Sequence, residues 1–270
     1  MDIIKAIILG IVQGLTEFLP VSSSGHLVLL QKIFKIEEPG LFFDTMLHIG
    51  TLSAVFVVLW KDIWEILKKI IQPLTLYLII ATIPAVIFAL AFKNKIESAF
   101  ESGQFLGICF LITSALLVTA EQLAKRSENK KSCENMNWID AVIIGVFQAI
   151  AIPPGISRSG ATISGALFRK LDRDFAARFS FLLSIPAILG ALVLQVKDLV
   201  KGKAPSEEII GVLPVAAGTI TAAIVGFFAV KFMLKIIKEK KLYGFAIYTA
   251  ALGIFVLLDQ FVIKQIIFKN

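Results

Sequence analysis

Charge is scarce in this chain. Asp, Glu, Lys and Arg make up 17% of its 270 residues, whereas hydrophobic residues make up 57%. Soluble domains carry roughly a quarter of their residues charged, and the mean hydropathy of this chain is +0.84. So few polar residues cannot cover a globule of this size in water. The composition excludes a soluble protein and predicts an all-α integral membrane protein whose solvent is lipid.

Cysteine and clustered basic residues are lacking as well. Cys109 and Cys133 are the only two cysteines, too few for a disulfide framework or a cysteine metal cluster. The net charge is +7, but Lys and Arg separate apolar segments instead of forming a stripe with aromatic residues, which excludes nucleic acid as a partner. A cleaved leader is not expected, because Gln13, Thr16 and Glu17 interrupt the first apolar stretch and no A-x-A-like site follows.

Long hydrophobic runs are abundant. Two shorter regions, 3–31 and 138–169, each hold two apolar pieces of roughly 10–15 residues, too short to cross a bilayer singly. We expect each region to form a re-entrant helical hairpin whose loop is buried in protein or lines a wet cavity; one kinked span per region is the alternative. Six longer runs approach the ~20 apolar residues of a transmembrane helix, at 41–60, 70–92, 105–121, 175–196, 209–230 and 243–263.

A repeated pattern interrupts both short regions. GIVQGLTEFLPVSSSG spans 10–25 and GVFQAIAIPPGISRSG spans 145–160, with paired residues 135 positions apart, half of the chain. Such self-similarity indicates a repeat, so we divide the one membrane domain into halves 1–135 and 136–270. A hairpin crosses the membrane zero times, which leaves three spans in each half. The second half then begins on the opposite side, which predicts an inverted-topology repeat with a site near the midplane.

The distribution of Lys and Arg predicts the orientation. Because positively charged loops stay in the cytoplasm, both termini and the entrance of the first hairpin are expected on the outer side. Arg158 and Arg178 are left inside the membrane. The outer side of this topology carries ten Lys and Arg, and the cytoplasmic side carries fifteen, in loops 61–69, 122–137, 169–174 and 231–241.

Ionisable groups at membrane depth mark candidate functional sites. The first repeat has Glu17 and His26, and the second has Arg158. Gln13 and Glu17 are four residues apart and share one helix face. Glu17 is therefore a candidate oxygen ligand for a hard divalent cation, with the Gln13 carbonyl as a weaker neighbour. An Arg158–Glu17 ion pair that only satisfies two buried charges is the alternative, and the two interpretations are compatible.

Both polar breaks also suit an anion. Hydroxyls, backbone N–H groups and a helix N-terminus favour negatively charged ligands, and an Arg guanidinium matches phosphate oxygens. Arg158 aligns with Ser23 in the repeat, so a pseudo-two-fold axis would bring these positions face to face. With Glu17 and His26 nearby, the pattern indicates a phosphoryl-transfer site. The other residues predicted to bind the substrate are Gln13, Ser22, Ser24, Gly25, Gly155, Ser157, Ser159, Gly160 and Thr162.

Each candidate also has a plainer interpretation. A serine-rich break can serve only as a helix cap, and a histidine in the membrane can serve only in packing. His48 has a weaker functional case than His26. Arg178 is expected to pair with Asp174 near the cytoplasmic edge.

The segments EFLPVSSSGH, from Glu17 to His26, and PGISRSGAT, from Pro154 to Thr162, closely resemble the two signature segments of the bacterial undecaprenyl-diphosphate phosphatase family, also called bacitracin-resistance proteins. The resemblance covers the whole chain in length, segment count and motif spacing. It implies an enzyme of the bacterial plasma membrane that hydrolyses undecaprenyl diphosphate to undecaprenyl phosphate, the lipid carrier for cell-wall synthesis, on the outer face. Bacitracin is expected to compete indirectly by binding this lipid. The sequence is compatible with a homodimer and does not decide the oligomeric state.

The resemblance also implies residue roles. Ser23 corresponds to a proposed nucleophile, and Arg158 to the arginine that binds diphosphate. His26 corresponds to the histidine of the motif, and our hypothesis makes it the base, or the group that orients Ser23 and later activates water; a phosphohistidine at His26 is the competing assignment. Mg²⁺ or Ca²⁺ is expected at Glu17 and Gln13. The family has Glu or Gln at the first of these positions, and the Gln form found here weakens that ligand.

A transporter is the second class of function that the sequence favours. Inverted repeats with broken helices and a midplane site are a transporter architecture, so flipping of the polyprenyl phosphate lipid is the alternative to hydrolysis. A non-catalytic lipid-binding protein is a third. The combination of serine, histidine and acid favours the phosphatase, since transport of an anionic lipid has no evident need of it.

Overall fold

A computed structural model describes residues 1–36, 40–126, 131–200, 211–239, 241–263 and 267–268. These residues contain no β-strand, and a 3₁₀ turn at Cys133–Asn135 and a π-helical turn at Asp259–Ile263 accompany the α-helices. The α-helices are α1 (Ile3–Thr16), α2 (Ser23–Ile33), α3 (Gly40–Val58), α4 (Trp60–Lys68), α5 (Pro73–Ala91), α6 (Lys93–Ser102), α7 (Leu106–Arg126), α8 (Trp138–Ile150), α9 (Arg158–Phe168), α10 (Arg173–Val200), α11 (Val212–Glu239) and α12 (Tyr243–Leu258).

Most of the predicted spans are single long helices. In the described part of the chain, α5, α7, α10, α11, and α12 together with its π-helical turn are long and apolar enough to cross a membrane. The first predicted span, 41–60, differs: α3 passes this test only together with α4, and the two helices meet at 79°. The fold is thus that of an all-helical membrane protein with five candidate spans, or six when the bent pair counts as one.

Each of the two short regions forms two helices separated by a break. Residues 17–22, around Pro20, separate α1 from α2, and residues 151–157 separate α8 from α9. Proline explains the position of both breaks because it lacks the N–H that a continuing helix needs. α1 and α8 have 14 and 13 residues, about 20 Å of helix against a hydrocarbon core of about 30 Å. The predicted breaks are confirmed, while entry of both helices from one membrane face stays a prediction.

In each half of the chain, the first helix packs against a helix of the other half. α1 of the first half lies along α11 of the second, and α8 of the second lies along α5 of the first. Glycine makes both crossings close: a Cβ on Gly10 would lie 2.5 Å from the Gly218 carbonyl oxygen, and one on Gly145 would lie 2.5 Å from that of Ala81. Gly10 and Gly145 are partners in the repeat, so the same position makes the same kind of contact in both halves.

Ion pairs away from the breaks join several helices. Arg178 of α10 pairs with Asp174 at 3.2 Å, as predicted, and also with Asp62 of α4 at 2.9 Å. Glu121 of α7 is fully buried and pairs with Arg173 of α10 at 2.7 Å. These charges lie outside both breaks, which makes them weaker functional candidates than the charges at the breaks.

Candidate active site

The two breaks end in the same kind of capping hydrogen bond. Ser22 caps α2 and Ser157 caps α9, and each Oγ accepts a hydrogen bond from the N–H three residues later, that of Gly25 at 3.3 Å and that of Gly160 at 3.0 Å. Serine is a favoured N-cap because its oxygen satisfies an N–H that the first turn leaves unpaired. Each cap hydroxyl also lies close to the hydroxyl two residues on, with Oγ–Oγ distances of 3.4 and 3.2 Å. Both serines therefore cap a helix, and their contact with the substrate stays a prediction.

The breaks touch each other at a pair of glycines. A Cβ on Gly25 would lie 2.8 Å from Gly155 Cα and 2.7 Å from the Phe110 ring. Gly155 has a φ of +97°, a conformation that residues with a side chain rarely adopt. Ser159 Oγ donates to the Leu19 carbonyl at 3.0 Å and adds a second link. Gly25, Gly155 and Ser159 thus lie at the seam between the two halves.

Hydroxyl groups of neighbouring helices support the second break. Thr113 Oγ1 of α7 donates to the Gly155 carbonyl at 2.9 Å and accepts from the Ser157 N–H at 3.0 Å. Thr162 lies one turn into α9, where its Oγ1 donates to the Arg158 carbonyl at 2.8 Å and lies 2.6 Å from Ser180 Oγ. These contacts hold the loop and first turn that present Arg158.

One buried carboxylate joins the two repeats. Glu17 Oε2 accepts hydrogen bonds from Ser23 Oγ at 2.5 Å and Gln13 Nε2 at 2.9 Å, and Oε1 is in contact with Arg158 Nη2. Glu17 is only 5% exposed, and a buried charge needs partners that compensate for lost water. Ser23 and Arg158 are the first residues of α2 and α9, so the N–H groups of two helix N-termini lie near their side chains. Ser23 and Arg158, which were predicted to lie face to face, are bridged by this carboxylate.

His26 makes its polar contacts with the Ser22 carbonyl and with Tyr248. Its Nδ1 lies 2.7 Å from the Ser22 carbonyl oxygen, which can only accept, so Nδ1 carries a proton. Its Nε2 lies 2.7 Å from the hydroxyl of Tyr248 on α12, and the two rings stack at 5.7 Å between centroids. Phe110 of α7 packs edge-on against the imidazole at 5.5 Å. The contacts of His26 therefore lead toward α7 and α12.

His48 lies beside the shared carboxylate. Its Nε2 is 3.5 Å from Glu17 Oε2, and its Nδ1 is 2.7 Å from the Asp44 carbonyl oxygen one turn earlier in α3. The side chain of His48 is 27% exposed, compared with 3% for Glu17. The imidazole therefore forms the more open edge of the site.

The amide oxygen of Gln13 shows whether the residues present fit a divalent cation. This atom, Oε1, is buried and has no hydrogen-bond partner within the described residues. Within the same ranges, no three His, Cys, Asp or Glu side chains group as metal ligands. A carboxylate and an amide oxygen fit a cation that takes its remaining oxygens from substrate phosphate and water, as Mg²⁺ commonly does. Gln13 and Glu17 thus fit as the protein part of a shared cation site.

Three residues around the site escaped the sequence interpretation or ranked low in it. Thr113, Tyr248 and His48 lie on α7, α12 and α3, outside the repeated segments that drew attention to the other candidates. An ionisable side chain within an apolar span was the only signal for His48. A hydroxyl in a transmembrane helix is an even weaker signal of a functional site, because it can donate its hydrogen bond to a carbonyl of its own helix.

Comparison with known proteins gives full-length matches. Residues 6–255 match the family described as bacitracin resistance protein BacA. The chain is 48% identical over 260 residues to undecaprenyl-diphosphatase of Carboxydothermus hydrogenoformans, covering 96% of this chain and 98% of the relative. It is 48% identical over 261 residues to undecaprenyl-diphosphatase 3 of Bacillus cereus, covering 97% and 98%. Undecaprenyl-diphosphatase of Alkaliphilus metalliredigens is 44% identical over 277 residues, covering 96% and 98%.

Proposed function

This chain belongs to the bacitracin resistance protein BacA family, and we infer from this membership that it is a membrane undecaprenyl-diphosphatase. It hydrolyses undecaprenyl diphosphate to undecaprenyl phosphate and phosphate, which recycles the lipid carrier for cell-wall synthesis and underlies bacitracin resistance. One observation carries the assignment to this site: the Glu17 carboxylate contacts both Ser23 and Arg158. A nucleophile, an acceptor for its proton and a phosphate-binding cation thus lie together.

The proposed arrangement in the membrane is an inverted repeat of halves 1–135 and 136–270. Short helices around each break, helix packing between the halves and the matched glycines Gly10 and Gly145 support it. Both termini face the outside of a bacterial plasma membrane, because the loops assigned to the cytoplasm carry more Lys and Arg. The diphosphate then enters the site from the outer face, while the isoprenyl tail remains in lipid between the spans.

Ser23 is the proposed nucleophile. Its Oγ attacks the terminal phosphorus while its proton passes to Glu17 Oε2, which is 2.5 Å away. The bond from that phosphorus to the bridging oxygen breaks, and undecaprenyl phosphate leaves with the oxygen. Water then attacks the phosphoserine, Glu17 returns its proton to Ser23 Oγ, and phosphate is released with the oxygen of that water.

Arg158 is proposed to hold the diphosphate during both steps. Its guanidinium contacts the Glu17 carboxylate in this structure, so the incoming diphosphate competes with Glu17 for the guanidinium donors. The first turns of α2 and α9 add backbone N–H groups and the positive ends of two helix dipoles. Positive charge fixed around the phosphorus stabilises the charge that builds up in the transition state.

A divalent cation completes the proposed site. Glu17 and Gln13 are the residues that would hold Mg²⁺ or Ca²⁺. When bound, the ion would neutralise charge on the phosphoryl oxygens.

Glu17 fits the role of proton acceptor for Ser23 better than His26 does. The only ring nitrogen of His26 that can take a proton is Nε2, and it lies at the Tyr248 hydroxyl. His26 stays a predicted catalytic residue, with activation of water in the second step as its proposed role. Trapping the phosphoenzyme and mapping the labelled residue tests the nucleophile: a label on Ser23 supports the proposal, and a label on His26 contradicts it.

Phosphate release from a C55 isoprenyl diphosphate by the purified protein tests the function as a whole. Release is expected, and a chelator should suppress it until Mg²⁺ or Ca²⁺ is added back. Bacitracin should inhibit only as far as it sequesters the lipid. Absence of release with every divalent ion would contradict the phosphatase and favour transport or binding of the lipid.

A further inference from the structure

His48 has the hydrogen-bond arrangement of a metal-ligating histidine. Its Nδ1 lies 2.7 Å from the Asp44 carbonyl oxygen, which can only accept, so the proton of the neutral ring is on Nδ1. Histidines that bind metals usually donate this second ring N–H to a carbonyl or carboxylate, which fixes the tautomer. The Nε2 lone pair is then presented outward, and Nε2 faces Glu17 Oε2.

The spacing of these two atoms also fits two ligands of one ion. His48 Nε2 and Glu17 Oε2 are 3.5 Å apart, beyond the range of a good N–H···O hydrogen bond. In the neutral ring, a lone pair would face a carboxylate oxygen with no proton between them. Two ligand atoms that each lie about 2.1–2.4 Å from a shared cation are themselves about 3.0–3.5 Å apart. A cation between them removes the repulsion.

Gln13 supplies an independent observation at the same carboxylate oxygen. Its Nε2 donates to Glu17 Oε2 at 2.9 Å, so the amide is adjacent to the oxygen that His48 faces. Its Oε1 is buried and without a partner in the described residues. Arg158 contacts the other carboxylate oxygen, Oε1 of Glu17, whereas Oε2, which faces His48, also accepts the hydrogen bonds from Ser23 and Gln13.

We propose that His48 is a ligand of the divalent cation, together with Glu17 and Gln13. The proposal rests on the phosphatase function only for the presence of the cation. Imidazole nitrogen is a poor ligand for Ca²⁺ and a good one for later divalent ions. This chain should therefore favour Mn²⁺, and more strongly Zn²⁺, over Ca²⁺.

The small number of histidines makes the proposal directly measurable. His26 and His48 are the only two in the chain, so protein with ¹⁵N-labelled histidine and no affinity tag gives two sets of ring signals. The set that is lost in His48→Gln belongs to His48, and the other set, from His26, is the internal control. On titration of the full-length protein with Zn²⁺ in detergent, the Nε2 signal of His48 should shift and that of His26 should stay.

Affinity measurements provide the second arm. His48→Leu removes the ligand, and its Mn²⁺ affinity, followed by the spin-resonance signal of free Mn²⁺, should fall about tenfold or more. Its Ca²⁺ affinity, measured by competition, should change less. A His48 signal that does not move at saturating Zn²⁺, or equal Mn²⁺ affinity in wild type and His48→Leu, overturns the proposal.

An alternative to ligation gives a different result in the same experiments. If His48 only forms an ion pair with Glu17, its ring signals change in Glu17→Gln, and the Mn²⁺ affinity is not reduced in His48→Leu. Phosphate release by wild-type protein, measured on the same preparation, distinguishes failure of the phosphatase function from failure of the ligand role of His48. Absence of release contradicts the phosphatase, whereas normal release with an unresponsive His48 contradicts only its role as a ligand.

Discussion

Glu17 has a different partner on each carboxylate oxygen, Ser23 on one and Arg158 on the other. Glu17→Gln keeps the shape of the side chain but cannot take the Ser23 proton. Loss of a general base typically lowers a rate about 10²–10⁴-fold, so kcat for phosphate release at saturating lipid should fall in that range. Glu97→Gln on α6, where the side chain is half-exposed, is the control and should retain activity. Unchanged kcat in Glu17→Gln would contradict its role as proton acceptor.

Arg158→Lys keeps the positive charge and removes the planar pair of donors. Hydrogen bonds to charged groups are worth about 1.5–3 kcal/mol, so kcat/KM should fall roughly tenfold to a hundredfold if two donors engage the diphosphate. Arg178→Lys is the matched control, because Arg178 pairs with Asp174 and Asp62 away from the breaks. Wild-type kcat/KM in Arg158→Lys would show that a point charge is sufficient.

Which residues meet at the site was predictable, while the direction of each side chain was not. Sequence alone brought Ser23 and Arg158 together because they occupy the same position of a repeat. The orientation of His26 depends on Tyr248, which is 222 residues away in the chain. No local pattern encodes such a partner. His48 was undervalued for the same reason, since its neighbour Glu17 lies on another element.

At the scale of helices and loops, the contact between the two breaks depends on the absence of a side chain. Gly25→Ala would place a Cβ 2.7 Å from the Phe110 ring and 2.8 Å from Gly155 Cα. Overpacking of this kind typically costs about 1–3 kcal/mol, and it would move α2, which carries Ser23. Both the unfolding temperature in detergent and kcat should fall.

The matched control for Gly25→Ala is Gly244→Ala in α12. A Cβ on Gly244 meets no atom within 4 Å, and alanine is the better helix former. This variant should keep its activity and unfold at the same or a slightly higher temperature. Similar behaviour of the two variants would show that the contact between the breaks does not matter.

Helix breaks were predictable where proline is followed by a polar segment with serine and glycine, whereas Pro84 and Pro186 lie inside α5 and α10. Proline at 20 and at 153–154 predicted both loops. The bend of 79° between α3 and α4 had no such signal, because residues 56–62 contain neither proline nor glycine. α4 is instead tied to α10 through Asp62 and Arg178, a tertiary contact that hydrophobicity along the chain does not record.

For the whole molecule, a native cysteine can test the orientation. Cys133 is partly exposed in the loop assigned to the cytoplasm, and Cys109 is buried in α7. In intact bacterial cells, a membrane-permeant maleimide should label Cys133 and an impermeant one should not. Burial, with a contribution from the negative charge of Glu134, raises the pKa of the Cys133 thiol. In the purified protein, labelling of Cys133 should therefore be faster at mildly alkaline pH, where more thiolate is present.

An engineered cysteine on the other side of the membrane should give the opposite labelling result. Ser102→Cys, in a Cys133→Ser background, places an exposed thiol at the end of α6 on the side assigned to the outside. The impermeant reagent should label it in intact cells. Labelling of Cys133 and protection of this thiol would reverse the orientation, and equal labelling of both would contradict the odd number of crossings between them.

The shared carboxylate also sets the reaction stoichiometry. The second half repeats the caps and the break, yet Ile152 stands where the first half has Glu17. The second half also has Arg158 where the first has Ser23, the proposed nucleophile, so the repeated motif provides one candidate reaction centre. A rapid-quench experiment should therefore show a burst of at most one covalently bound phosphate per polypeptide. Each half of the chain therefore depends on the other for the proposed reaction, although the two halves share a motif.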